Sequence, residues 1–166
     1  MITTKLRRSV RLAARASALL FAAAQAAPAL GSHIGRASRP LYLGFVAAHA
    51  THFTLVARYA HVTGGRDLFP GGRSMNEVGG WPTVLAIDTV FAGLAVTGWA
   101  GMSQRTRPPW HRAAGCAATG LIGALFVGTF LGQLARSPWY ALPATVVSAA
   151  VMANGLTGRR TPESRP

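Results

Sequence analysis

The chain has 166 residues, half of them apolar, with 17 Lys and Arg against 4 Asp and Glu and a formal charge of +13. Its charged share of 13% is about half the roughly 25% usual for globular domains. The charges are also segregated, with short basic clusters separated by long uncharged runs. This excludes an ordinary soluble enzyme and a disordered tail. The single cysteine, Cys116, excludes an intrachain disulfide and any Cys-rich zinc or iron–sulfur site. The arginines punctuate apolar runs instead of forming one patch, so nucleic acid is not an expected partner. The composition predicts an all-α integral membrane protein, multi-pass in the cell membrane.

A bilayer core of about 30 Å needs roughly 20 helical residues at about 1.5 Å each. The uncharged runs have that length. Twenty residues separate Arg15 from Arg36, and eighteen separate Arg39 from Arg58. Twenty-seven run from Val78 to Gln104 with Asp88 as their one charge, twenty-three from Ala113 to Ala135, and twenty-two from Ser137 to Gly158. They predict a bundle of about five transmembrane helices over residues 14–34, 40–60, 81–103, 113–135 and 138–157, followed by a polar tail at 159–166. The first run also fits a cleavable secretory signal, with its basic lead (Lys5, Arg7, Arg8, Arg11, Arg15), short apolar middle and small-residue stretch AAAQAA.

The long connection His61–Gly80 holds six glycines, one proline and both signs of charge, and reads as an irregular aqueous loop. With five spans and a cytoplasmic amino terminus, nine basic residues fall on that side and eight on the other. That balance gives no orientation under the positive-inside rule. Trp81, Trp110, Trp139 and Tyr140 fall near span ends, where amphipathic rings prefer the headgroup level.

Polar side chains inside apolar spans carry the functional argument, because lipid makes them costly. His49 and His52 stand three apart on the second predicted helix, so they occupy neighbouring positions on its surface. Gly44 and Ala48 precede His52 on the same stripe, which leaves room for a partner helix or a flat macrocycle. The imidazoles are either metal or haem ligands or bridges between helices. Asp88, in the third helix, is placed to accept the second ring N–H of His52; it could equally relay protons, or be protonated and structural. Gly120, Ala124, Gly128 and Gly132 recur every four residues and predict close helix packing. His111 sits in a basic stretch with Arg105, Arg107 and Arg112, either as a surface histidine or as a ligand beside a cluster that pairs with anionic lipid or haem propionates. The chain has no Gly-rich phosphate loop, GxSxG, HExxH or CxxC. No flavin or nicotinamide module is expected in the length these spans leave.

These residues resemble the ferric reductase-like transmembrane domain in its short bacterial form, from about Arg8 to Gly158. RRSVRLAARASALLFA looks like the family's first core helix. RPLYLGFVAAHATHF looks like its Arg-led helix with an AHxxH pair, which places a haem-ligating histidine at His52 with His49 beside it. GGWPTVLAIDTVFAGLAVTGW is similar to the helix ending in a Leu-Thr-Ser type sequence, here Val96-Thr97-Gly98. PPWHRAAG resembles the W-x-x-L-H-R signature that carries the opposing histidine. Aligned on Trp110, however, Ala114 takes that position and His111 falls one turn earlier.

The resemblance implies a b-type haem protein of the bacterial inner membrane. His52 (or His49) would be one axial ligand, His111 the second, and Asp88 a hydrogen-bonding partner. Electrons would be exchanged with a redox partner protein or a quinol. The competing expectations are a non-enzymatic helical membrane protein that binds no haem, and a proton-coupled carrier built on Asp88 and His52.

Overall fold

A computed structural model describes residues 2–65, 77, 80–102, 109–132, 134 and 138–158. Among these residues the structure is helical, without strands, and has five long helices. They are α1 (Ile2–Ala26), α3 (Ser38–Thr63), α4 (Gly80–Met102), α5 (Pro109–Leu131) and α6 (Ala141–Gly158), with a one-turn helix, α2 (Ser32–Gly35), after α1.

Proline and glycine punctuate the chain. Pro28 lacks an N–H and restricts the residue before it, so α1 gives way to a 3-10 turn at Ala27–Leu30. Gly31 then takes φ +108°, a conformation that favours glycine, and the chain reverses through α2. Pro40, Pro82, Pro109 and Pro143 each stand in the first turn of a long helix, where the missing donor costs nothing. Gly64, left-handed at φ +69°, closes α3.

Three stretches are long and apolar enough to cross a membrane: Thr3–Leu30, Gly80–Ala100 and Ala113–Leu131. The first begins eleven residues before the expected 14–34 span. The basic lead is helical because its charges keep to one surface. Lys5, Arg7, Arg8, Arg11 and Arg15 are exposed while Leu6, Val10, Ala18 and Phe21 are buried. α3 carries Arg39, His49, His52, Arg58 and His61 along its length, and α6 has 18 residues; neither reaches the same standard.

α1 packs chiefly on α3 and also on α6, while α5 packs on α4 and α6. Consecutive long helices run in opposite directions. At one end the start of α1 meets the end of α3 through Leu6, Val10 and Tyr59. At the other, Ser38 Oγ donates to the Ala24 carbonyl at 2.6 Å and the Arg39 guanidinium lies 5.0 Å from the Trp99 ring centroid. Between the ends lies an aromatic core. Phe21, Tyr42 and Phe45 are fully buried and touch one another in edge-on or tilted contacts, and Phe45 also meets Phe91 and Phe126. The Asn154 amide donates to Gln25 Oε1, linking α6 to α1.

Two glycines set the closest approaches. A Cβ on Gly98 would collide with the Tyr42 hydroxyl, and one on Gly123 would lie 2.8 Å from Val151 Cγ2. The expected packing stripe is not where the helices touch. Gly120 and Gly128 have open space where a Cβ would be, and Ala124 and Gly132 are exposed. The stripe lies on the outer side of α5, and Gly123, three residues from Gly120, makes the α6 contact.

The outer surface is apolar. Leu85, Ile87, Val90 and Val96 of α4, Leu121 and Leu125 of α5, and Leu142 and Met152 of α6 are all exposed. The outward hydroxyls of Thr51, Thr54, Thr89, Thr97, Thr129 and Thr145 each donate to the carbonyl four residues back. Each donor is therefore satisfied without water.

Candidate functional site

Residues three apart on an α-helix are turned about 60° from one another, so His49 and His52 face different neighbours from one stretch of α3. His52 turns toward α1, where its Nδ1 lies 3.1 Å from the Val10 carbonyl oxygen. A carbonyl can only accept, so Nδ1 carries the proton, and in the neutral ring Nε2 is left with its lone pair. Gly44, on the same stripe, faces α1; a Cβ there would lie 3.6 Å from Leu20. The space foreseen beside that stripe is filled by a partner helix.

His49 turns toward α4. Its ring stacks on Phe91 with centroids 3.8 Å apart and planes 16° from parallel. Its Nε2 is 4.0 Å from Asp88 Oδ1, and its Nδ1 is 3.4 Å from Ser17 Oγ. The carboxylate expected beside His52 is therefore beside His49. The direction each ring takes from α3 decides the pairing. Ser17, His49 and Asp88 form a row, but Ser17 is fully buried and the imidazole–carboxylate gap exceeds a hydrogen bond. The row is not a hydrolytic triad.

The two histidines and Asp88 border a cleft of about 470 Å³ among α1, α3, α4 and α5, within the ~300–1,000 Å³ range of small-molecule sites. Val10 and Ala14 form one wall and Val84, Ile87 and Phe91 another, with Leu125, Phe126 and Thr129 between them. The His49 and Asp88 side chains keep 20% and 32% of their surface exposed, so the pair is reachable from the cleft. Among the described residues no Lys or Arg lines it.

His111 is not part of this site. It is the third residue of α5, stacked on the exposed Trp110 ring at 3.6 Å. The lining begins at Leu125, fourteen residues along the same helix, or about 21 Å. Ala114, one turn on from His111, is at the same far end. The helix direction separates them, since α5 meets the cleft with its last turns. Arg105 and Arg107 lie outside the described residues, as does most of the His61–Gly80 loop. His33 and His61 are exposed and away from the cleft lining. Cys116 is exposed on α5.

Family models, curated proteins and solved structures give no match to this chain. Among the described residues, no three His, Cys, Asp or Glu side chains converge as a metal-ion site. The resemblance therefore rests on its motifs, and the cleft has to be read from its own chemistry.

Three participants were not read from the sequence: the Val10 carbonyl, Ser17 and Phe91. The first two had a signal. Apolar and small residues recur at helical spacing through Leu6, Val10, Ala14, Ser17, Ala18 and Phe21, a pattern that continues α1 through the basic lead and gives it a face for α3.

Proposed function

We propose that this chain is a multi-pass, five-helix protein of the cell membrane that transfers electrons through a b-type haem, which the α1–α3–α4–α5 cleft would hold through His52. The observation carrying the reading is the His52–Val10 contact. A ligating histidine characteristically donates its other ring N–H to a carbonyl or carboxylate, which fixes the tautomer and the ring direction. The apolar lining suits a macrocycle, and the outward aliphatic surface and internally satisfied hydroxyls suit lipid.

Of the histidines named from the sequence, His52 alone would hold the group. The opposing histidine implied by the family motif is not assembled: His111 lies at the other end of α5, and His49 stands beside His52 on the same helix with its ring stacked on Phe91. Among the described residues the lining also has no Lys or Arg to pair with propionates. When bound, a haem supplies one-electron chemistry. The chain's own residues hold His52 in one tautomer, line the cleft with the apolar Phe91, Phe126 and Leu125, and place the His49–Asp88 pair where it can exchange a proton with the cleft.

A second reading is favoured by how thoroughly His49 is engaged. With Phe91 on its face, Ser17 on one nitrogen and Asp88 near the other, it links α1, α3 and α4 as a structural bridge. In that reading the protein is a non-enzymatic membrane bundle. The reduced-minus-oxidised visible spectrum of the detergent-purified protein separates the two. Haem ligation predicts a b-type band that His52→Ala abolishes and His111→Ala leaves intact. A colourless protein after haem supplementation, or a band lost in His111→Ala and kept in His52→Ala, contradicts it.

A further inference from the structure

A second depression lies between α1 and α6, on the face of α1 that carries Arg11 and Arg15 instead of Val10 and Ala14, with a volume of about 550 Å³. Its two ends differ in chemistry. At the mouth stand Arg11 and Arg15, four residues apart and so on one face of α1, together with the exposed Trp139 and the half-buried Tyr140. Deeper along both helices the walls are aliphatic: Ala18 and Leu19 from α1, Val146 and Val147 from α6. Both arginines are exposed, and among the described residues neither has an acidic side chain within ion-pair distance.

We propose that this groove binds one anionic phospholipid, its phosphate on the Arg11 and Arg15 guanidinium groups and an acyl chain in the trough below. Guanidinium groups match phosphate oxygens bidentately, and indole and phenol rings favour the headgroup level. A zwitterionic phospholipid offers the same phosphodiester, but its own cation offsets that charge and is repelled by the paired guanidinium groups, whereas an anionic head leaves net negative charge to meet them; a free phosphate would leave the trough open. Only an amphiphile with a negative head uses both ends. The groove shares Phe130 with the histidine cleft but neither histidine. The proposal rests on the membrane placement above, which resistance to alkaline carbonate extraction reads separately, and not on haem.

Native mass spectrometry of the detergent-purified full chain, titrated with lipid, tests it. Phosphatidylglycerol should bind as one molecule, at least about tenfold more tightly than phosphatidylcholine with the same chains. Arg11→Gln/Arg15→Gln should remove that preference, and Arg11→Lys/Arg15→Lys should retain most of it. Dihexanoyl phosphatidylglycerol, too short to fill the trough, should bind at least tenfold more weakly, and millimolar inorganic phosphate should not displace the long-chain lipid. Equal affinity for the two headgroups, an unaltered preference in the Gln variant, equal binding of the short-chain lipid, or displacement by phosphate overturns the proposal.

Discussion

At the scale of single residues, direction matters more than depth. His49 and His52 differ by about 60° around α3, and that angle gives one ring to α4 and the other to α1. The pair was visible in the sequence as two costly side chains in an apolar run. Which one Asp88 would meet was not, because a sequence shows how far along a helix a residue lies and not where its neighbour's axis passes. It follows that Asp88→Asn should leave a His52-dependent band in place, because the described hydrogen bond of His52 is to backbone. A spectrum erased by Asp88→Asn would put the carboxylate on His52 after all. The glycines give a second residue-scale prediction. Gly98→Ala drives a methyl into the Tyr42 hydroxyl and should lower stability by about 1–3 kcal/mol in detergent unfolding. Gly120→Ala, with nothing nearby, should be neutral or gain up to about 1 kcal/mol from helix propensity. Equal effects would contradict the packing described.

At the scale of elements, uncharged runs and helices are different objects. The runs were legible because lipid and protein interiors both exclude charge, and each corresponds to one long helix. Their ends were less so. Five basic side chains mark the edge of an apolar run but are good helix formers, so α1 continues through them to Ile2. α3 likewise passes Arg58 and ends only where Gly64 turns left-handed. The glycine stripe on α5 misled for a related reason. Period four marks a surface that helices could share, while the contact with α6 was made by Gly123 from another face. α1 supplies fully buried Ser17, Phe21 and Gln25 to the core, so cleavage after the small-residue stretch would strip the bundle of its centre. The Gln25–Asn154 bond ties that helix to α6. Asn154→Leu should therefore cost about 0.5–2 kcal/mol, read as a lowered unfolding temperature in detergent, and an unchanged or raised temperature would assign the link no weight.

At the scale of the whole molecule, the bundle has two chemically different ends. Lys5, Arg7, Arg8, Arg11, Arg15 and Arg58 gather where α1 begins and α3 finishes, with the histidine cleft and the α1–α6 groove opening near them. Arg36, Arg39, Trp99 and the Trp110–His111 stack stand at the other end. The resemblance placed opposing histidines across one haem, and the helix directions put His111 far from the cleft instead. The motifs could suggest a ligand, but only the packing could say which helix ends meet. The cleft and the groove both presuppose that α3 crosses the bilayer, although its histidines and arginines make it less apolar than α1, α4 and α5. Cysteine accessibility tests this directly. His33→Cys and His61→Cys, each exposed and flanking α3, would be introduced separately into a Cys116→Ala background and treated with a membrane-impermeant maleimide in right-side-out and inverted vesicles. The account predicts labelling from opposite faces; labelling of both positions from one face would contradict it.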